Sequence, residues 1–203
     1  WWWNRMDSYY HNRNIAVYID ADGRPISYLI YRIHGNVFLA DELYSITAKG
    51  LICLLGFMGS HAGTIKEFRM ILPEHSLIGE LFPEQNQLHI SLHPYMMSRI
   101  VDFAKMITYM KPLQEGTFNL EVISDDQCPW NIGVWQMTNK DGKVSCKQIE
   151  DGLVDFSGPI TAWTQVLLGR LSMRDAVKLG LITDYRIKKL EFKKGDVSFY
   201  DYF

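Results

Sequence analysis

Apolar and polar residues alternate in several short segments of the first half of the chain. This period of two residues is typical of strands that bury one face. Between the first two segments, Asp20-Ala21-Asp22-Gly23 has the composition of a hairpin turn. The pattern therefore predicts a hairpin and further strands, with these bounds: Ile15–Ile19, Ser27–Ile33, Asn36–Tyr44, Ile65–Leu72, Leu88–Ile90 and Met97–Val101.

Two segments of the same half predict helices that begin after a capping residue. Thr47 is a favoured N-cap for a helix over Ala48–Met58, which Gly59-Ser60 ends. Asp102 precedes a second helix, because four apolar residues recur after it at helical spacing. These four residues are Phe103, Met106, Ile107 and Met110.

The second half predicts strands first and helices afterwards, an order that is typical of an α+β fold. Lys111-Pro112 is predicted to separate two domains, residues 1–112 and 113–203, because proline stops the preceding helix. The predicted strands are Gly116–Ile123, Asn131–Met137, Lys143–Gln148 and Leu153–Ser157, with a hairpin turn at Asn139–Gly142. The predicted helices are Ile160–Leu168, a helix capped by Ser172 that runs to Leu179, and Asp184–Phe192.

Composition and charge exclude several classes of protein. Hydrophobic residues make up 47% of the 203 residues, which excludes a disordered chain. The net charge is −2, so we expect no nucleic-acid partner. No apolar stretch is long enough to cross a bilayer, and no leader is visible, so we expect a cytoplasmic protein without a membrane partner. Trp1-Trp2-Trp3 opens the chain in place of Met, which predicts further sequence upstream.

The motifs of several common active sites are absent from the sequence. There is no P-loop, no GxGxxG after a strand, no GxSxG and no HExxH. The three widely spaced cysteines have no metal-ligand spacing and predict buried or half-buried thiols. His89, His93 and Glu84 are better interpreted as solvated or hydrogen-bonded side chains than as metal ligands, so we predict no metal site.

Carboxylates offer two candidates for chemistry. Asp102 either caps the helix that follows it or faces a pocket and binds a cationic group. The adjacent pair Asp125-Asp126 is interpreted as solvated. At the end of the chain, Tyr200-Asp201-Tyr202-Phe203 surrounds the α-carboxylate with rings. If these rings are buried, the pKa of that carboxylate rises and it can accept a proton from an ammonium group; the alternative is a tail that is merely packed.

Several motifs, in this order, resemble those of the Eis-like acetyltransferases, which are named for the enhanced intracellular survival protein of mycobacteria. The resemblance covers nearly the whole chain. The motifs are Ala16-Val17-Tyr18, Asp22-Gly23, Ile26–Arg32, Asp41-Glu42-Leu43, Gly59-Ser60-His61, Met97–Asp102, Cys128–Asn131 and the aromatic C-terminus.

The resemblance implies the C-terminal two domains of a three-domain enzyme. These are a GNAT-like domain with a mixed sheet, helices and no cofactor site, and a sterol-carrier-protein-like domain with an antiparallel sheet and helices. Acetyl-CoA would be bound by an upstream GNAT domain, and the substrate would be a small-molecule or peptide amine. The family also forms trimers and hexamers, so a homo-oligomer is expected.

The resemblance also implies roles for particular residues. The C-terminal carboxylate, here that of Phe203, would be the general base. Asp102, Tyr202 and Trp3 would line the substrate pocket. The best-known member of the family has an acidic residue where Tyr202 stands, a departure that argues against a preference for polycationic substrates.

Two alternative functions follow from the same sequence. The sterol-carrier-like half is either a lipid-binding module or a packed structural domain. Five apolar residues would line a cavity in the first case and fill a core in the second. These are Trp135, Phe156, Trp163, Leu167 and Leu168. The other alternative is a pair of domains that mainly builds an oligomer.

Overall fold

A computed structural model describes residues 11–73, 76–93 and 97–193 of the chain. The chain divides into two units, Trp1–His89 and Ile90–Phe203. Each unit has its own sheet and its own hydrophobic core. The sequence places the division at Lys111-Pro112, but the boundary between the two units lies further upstream.

The first unit is built on a four-stranded mixed sheet in the order β1-β2-β3-β4. The first three strands pair antiparallel, and β4 pairs in parallel with β3. Asp20 closes the first hairpin, because its Oδ1 accepts the backbone N–H groups of Asp22 and Arg24 at 3.0 and 2.8 Å. The strands are β1 (Asn14–Ile19), β2 (Pro25–His34), β3 (Val37–Ser45) and β4 (Glu67–Met70).

A long helix, α1 (Ala48–Gly59), covers one face of this sheet. Its predicted cap is confirmed, since the Thr47 hydroxyl accepts the N–H of Gly50 at 3.1 Å. The helix starts very close to the sheet: a Cβ at Gly50 would lie 2.8 Å from the hydroxyl oxygens of Ser27 and Ser45. The core under the helix consists of Leu29, Phe38, Ala40, Leu54, Met58 and Ile65.

Two predicted strand pieces are not strands. Leu88 instead follows a 3₁₀ turn over Gln85–Gln87, and its N–H bonds to the carbonyl of Gln85. The segment Met97–Val101 is also irregular, and the carbonyl of Val101 accepts side-chain hydrogen bonds instead of strand bonds. A further 3₁₀ turn occupies Ile78–Leu81.

The second unit contains a five-stranded sheet in the order β7-β6-β5-β8-β9. The first three strands along the chain form an antiparallel meander, whereas β8 pairs in parallel with β5. Asp141 and Gly142 both have positive φ, 52° and 72°, as the tight turn between β6 and β7 requires. The strands are β5 (Gly116–Val122), β6 (Gly133–Lys140), β7 (Lys143–Ile149), β8 (Phe156–Gly158) and β9 (Thr183–Asp184).

Among the described residues of this unit, three helices pack on the second sheet: α2 (Phe103–Tyr109), α3 (Ile160–Leu167) and α4 (Met173–Lys178). The core contains Phe103 and Ile107 of α2 together with strand residues such as Leu120, and all three side chains are fully buried. The helix before Pro112 therefore belongs to the second unit. This packing explains why the chain divides further upstream than the sequence predicts.

The predicted helix over Asp184–Phe192 is wrong. Asp184 ends β9, and its Oδ1 accepts the N–H groups of Arg186 and Lys188 in a local turn. Ile187 has a φ of 51°, which is incompatible with a continuing right-handed helix. Lys188 also reaches the buried carboxylate of Asp155 at 2.7 Å. These contacts fix an irregular segment in place of a helix.

Two sheets with packed helices confirm the predicted α+β class. Within the described ranges, none of the helices has both the length and the apolar character needed to span a membrane. The three cysteines are free thiols; Cys128 is buried, and Cys53 and Cys146 are half-buried.

Candidate functional site

Hydrogen bonds join two loops of the second unit, residues 97–102 and 123–132, into what we term the loop junction. Its centre is Asp125, whose side chain is fully buried. Oδ1 of Asp125 accepts the guanidinium of Arg99 and, at 3.0 Å, the N–H of Cys128. Oδ2 accepts the side-chain amide of Asn131 at 2.9 Å. A buried carboxylate with so many donors fixes both loops.

Asn131 and Trp130 extend the loop junction to the start of α2. The Asn131 Oδ1 accepts the N–H of Phe103 at 2.8 Å, and its Nδ2 also lies 3.2 Å from the carbonyl oxygen of Val101. The indole Nε1 of Trp130 donates to the same carbonyl at 2.8 Å. Asn131 is buried, but Trp130 is 60% exposed. The backbone on either side of Asp102 is therefore held by side chains from the second loop.

Asp102 is exposed and caps α2. Its Oδ1 accepts the N–H of Lys105 at 2.9 Å, which confirms the capping interpretation of this residue. Its predicted role in binding substrate stays a prediction. No hydrogen bond joins Asp102 to another side chain among the described residues, so its second carboxylate oxygen is available on the surface.

The adjacent carboxylates Asp125 and Asp126 have different environments. The expectation that Asp125 and Asp126 are both solvated is wrong for Asp125, because only Asp126 is exposed.

Burial raises the pKa of the Cys146 thiol to about 12, and the negative charge of Asp102 contributes to the increase. Cys146 is therefore a thiol and not a thiolate near neutral pH, which excludes it as an activated nucleophile.

The remaining residues of the predicted site, Phe203, Tyr202 and Trp3, lie outside the described residues. Asp102 is thus the one predicted site residue whose surroundings are described. The hydrogen bonds that Trp130 and Arg99 make in the loop junction were not predicted from the sequence, although both residues lie in motifs that carry the resemblance.

His93 and Glu84 have separate local partners. The His93 Nε2 lies 3.0 Å from the Ser91 hydroxyl, and Glu84 accepts the side-chain amide of Gln87 at 2.7 Å. Within residues 11–73, 76–93 and 97–193, no group of three His, Cys, Asp or Glu side chains is arranged to hold a metal ion.

The residues proposed for a lipid cavity divide between core and pocket. Phe156 and Trp163 are buried in the core, and the Trp163 indole donates to the carbonyl of Glu121 at 2.9 Å. Trp135 packs against the same core. Leu167 and Leu168 line a pocket of about 200 Å³ between the C-terminal end of α3 and the N-terminal end of α4. A larger, open groove of about 460 Å³ lies beside β5.

Comparison with protein families divides the chain near residue 100. Residues 1–100 match the model of the acetyltransferase (GNAT) domain, and residues 100–194 match that of the sterol carrier protein domain. No curated protein matches the chain.

Solved structures resemble the chain over most of its length. A protein of unknown function from Enterococcus faecalis, described as a probable N-acyltransferase, is 27% identical with a TM-score of 0.78. That match covers 100% of this chain and 53% of the other. Eis1 from Mycobacterium abscessus is 17% identical with a TM-score of 0.71, over 100% of this chain and 54% of its own.

A GCN5-related N-acetyltransferase from Anabaena variabilis is 17% identical with a TM-score of 0.70, covering 95% of this chain and 52% of the other. The chain thus spans about half the length of the structures it matches. At the lower identities the similarity shows the fold alone. The chain combines a GNAT-acetyltransferase-like region with a sterol-carrier-protein-like domain.

Proposed function

We propose that the chain is the C-terminal part of an acetyl-CoA-dependent N-acetyltransferase that acts on amines. The observation that carries the proposal is the match of the whole chain to a structure described as a probable N-acyltransferase. The GNAT match over residues 1–100 supports the same reaction class. Because the chain spans about half of such structures, we assign acetyl-CoA binding to an upstream domain and expect the chain alone to be inactive.

The proposed reaction needs a neutral amine. Its nitrogen attacks the thioester carbonyl carbon of acetyl-CoA, the carbon–sulfur bond breaks, and coenzyme A leaves as a thiolate that takes a proton from a general acid, which the resemblance assigns to the upstream domain. A base takes the proton that the amine loses, and the resemblance assigns this role to the terminal carboxylate of Phe203. Asp102, Tyr202 and Trp3 belong to the proposed substrate pocket. The exposed carboxylate of Asp102, at the end of the first loop of the loop junction, supports its part in attracting a cationic amine.

The base is tested by measuring thiol release from acetyl-CoA with the full-length protein and a panel of small amines and lysine peptides. Deletion of Phe203, or amidation of the C-terminus, is expected to reduce turnover by about 10²-fold or more. Phe203→Leu is the matched control, because it retains a terminal carboxylate and is expected to retain most of the turnover. Unchanged turnover after amidation would remove the carboxylate from the mechanism.

The position of the cofactor site is tested by calorimetric titration of the 203-residue chain with acetyl-CoA. We expect no binding heat, and full-length protein is the positive control. Binding at micromolar strength by this chain would contradict the assignment of the cofactor to an upstream domain, while leaving the acetyltransferase proposal intact.

We further propose that the protein forms a homo-oligomer, a trimer or a hexamer, as the resemblance implies. Sedimentation equilibrium of the full-length protein measures its mass directly. A monomer at micromolar concentration would contradict this part of the proposal.

A second candidate function is binding of a lipid or another apolar ligand. The pocket lined by Leu167 and Leu168 and the match to the sterol carrier protein domain favour it. Its volume of about 200 Å³ is below the range of roughly 300–1,000 Å³ that is usual for ligand sites. Titration of the chain with a fluorescent fatty acid is expected to show no uptake; saturable uptake would favour the second candidate.

A further inference from the structure

The last described residues of the chain return to the segment that joins α2 to β5. Residues 191–193, which we term the terminal strap, pair antiparallel with residues 111–114. The N–H groups of Leu113 and Lys193 each donate to a carbonyl of the other segment at 2.7 Å. Two such bonds, one in each direction, hold the terminal strap in a defined register.

Residues 111–114 are themselves attached to the sheet. The side-chain amide of Asn139, a residue of β6 that is 5% exposed, donates to the carbonyl of Gln114 at 2.8 Å. The Gln114 Oε1 in turn accepts the N–H of Glu191 at 2.7 Å. Leu190, directly before the terminal strap, is buried in the core. The terminal strap therefore follows a buried residue and lies on a segment that the sheet supports.

The Glu191 side chain attaches the terminal strap to α4 as well. Its Oε2 accepts the N–H of Met173 at 3.1 Å, and its Oε1 accepts that of Arg174 at 3.0 Å. The first N–H groups of a helix have no partner inside the helix, so a carboxylate that accepts two of them makes charge-assisted hydrogen bonds. Ser172 accepts the N–H of Asp175 at 3.0 Å, next to the two that Glu191 accepts. We term the two bonds from Glu191 to α4 the latch.

The position of the terminal strap limits where the carboxylate of Phe203 can lie. Phe203 is the tenth residue after Lys193, and ten residues span at most about 33–36 Å when fully extended. A general base must lie within hydrogen-bond reach of the proton that it takes, and a displacement of about 1 Å can lower a rate by about 10²-fold. The attachment of the terminal strap therefore matters for a base at the C-terminus.

We propose that Glu191 is a positioning residue for the terminal carboxylate of Phe203, an inference that rests on the proposed function. The latch holds the terminal strap on α4 and so fixes the point from which the last ten residues extend. Glu191 itself takes no proton in the reaction. Its loss is expected to slow the step that needs the base and to leave the binding of acetyl-CoA unchanged.

Hydrogen exchange of the 203-residue chain tests the latch without any reaction. In Glu191→Ala we expect the amides of Leu113 and Lys193 to exchange about tenfold faster, because the terminal strap opens locally. The amide chemical shift of Leu120, in the central strand β5, is expected to stay unchanged, which shows that the domain remains folded. Glu150→Ala removes an exposed glutamate and is the matched control that is expected to leave both exchange rates unchanged.

Thiol release by the full-length protein tests the positioning. Glu191→Ala is expected to lower kcat by about tenfold, less than the roughly 10²-fold loss expected without the base, and to leave KM for acetyl-CoA unchanged. Gln114→Ala removes the bond to the N–H of Glu191 and is expected to lower kcat as well. When Phe203 is deleted, Glu191→Ala is expected to have no further effect, because the effects of residues that act as a unit are not additive.

Three results would overturn the positioning role. They are unchanged exchange of the strap amides in Glu191→Ala, unchanged kcat of the full-length variant, and a tenfold loss that persists after deletion of Phe203. The last result would show that the variant damages the fold and not the position of the base. Faster exchange of the strap amides in a protein that transfers no acetyl group would refute the proposed function and support the latch.

Discussion

Asp125 and Asp126 are neighbours in sequence and have opposite environments. Asp125 is 2% exposed and accepts hydrogen bonds from Arg99, Cys128 and Asn131, whereas Asp126 is exposed. A carboxylate oxygen that satisfies several donors cannot be removed without leaving those donors unpaired. The environment of each aspartate, and not its residue type, therefore determines how much free energy of unfolding is lost when its side chain is removed.

Asp125→Ala is expected to lower the free energy of unfolding by about 2–4 kcal/mol, because Arg99 and Asn131 lose their partner. The range extends down to about 2 kcal/mol because the Arg99 side chain is 38% exposed, so water can replace part of its contact with Asp125. Asp126→Ala is the matched control and is expected to change stability by less than about 0.5 kcal/mol. Urea unfolding, followed by circular dichroism, measures both. Equal effects of the two variants would contradict the role given to Asp125.

The limits of sequence reasoning are visible at the same residues. The sequence predicts Asp102 as a cap because the capping bond is local, to Lys105. It does not predict the pairing of Arg99 with Asp125, because the two residues are 26 positions apart and no local rule connects them. It does not predict the hydrogen bond from Trp130 to the carbonyl of Val101 for the same reason, since these residues are 29 positions apart.

Elements whose signals are local were predicted best. Thr47 and Ser172 both cap the helices that the sequence assigns to them, because the bond joins residues three apart. The turn at Asp141-Gly142 was predicted on the same basis. The predicted helix over Asp184–Phe192 failed because the local turn at Asp184 and the distant contact between Lys188 and Asp155 together outweigh helix propensity there.

The contact that defines this irregular segment is made by Asp155, whose side chain is 1% exposed. Its Oδ2 accepts Lys188 at 2.7 Å and the N–H of Asn119 at 2.9 Å. Arg186 is more distant, with Nε 3.8 Å from Oδ1. Of the two cations in the segment after β9, Lys188 therefore makes the closer contact with Asp155.

Lys188→Met and Arg186→Met test this difference. Lys188→Met is expected to cost about 1–2 kcal/mol of unfolding free energy, because it removes a charge-assisted bond to a buried carboxylate. Arg186→Met is expected to cost less than about 0.5 kcal/mol, since the ion pair it removes is longer and half exposed. Urea unfolding of the two variants under identical conditions gives the comparison. A larger loss for Arg186→Met would show that Asp155 relies on the other cation.

At the scale of the whole molecule, the position of the boundary follows from one helix. Ile100, Phe103 and Ile107 are buried with Leu120 and Trp163 in a single core. Proline after this helix marks where the helix ends, but it carries no information about which sheet the helix covers. Assignment of α2 therefore requires the tertiary packing, and the sequence alone misplaces it.

Two fragments test the boundary. Residues 90–203 retain the whole core of the second unit and are expected to fold, with cooperative urea unfolding. Residues 113–203 lack Ile100, Phe103 and Ile107, and the loss of even one such side chain costs about 2–5 kcal/mol. Because a domain has only about 5–15 kcal/mol of stability, the shorter fragment is expected to remain largely unfolded. Cooperative unfolding of the shorter fragment would place the boundary at Lys111-Pro112 after all.

The parallel pairing of β8 with β5 has a consequence for synthesis on the ribosome. The hairpin of β6 and β7 is closed by a two-residue turn and forms within roughly 1–10 μs, far faster than translation adds residues. The edge of β5 that receives Phe156–Gly158 stays open until those residues have emerged. During that interval the nascent chain presents Phe118, Leu120 and an unpaired strand edge together. A chaperone that recognises apolar strands would meet this protein at that stage of its synthesis, before α3 covers the sheet.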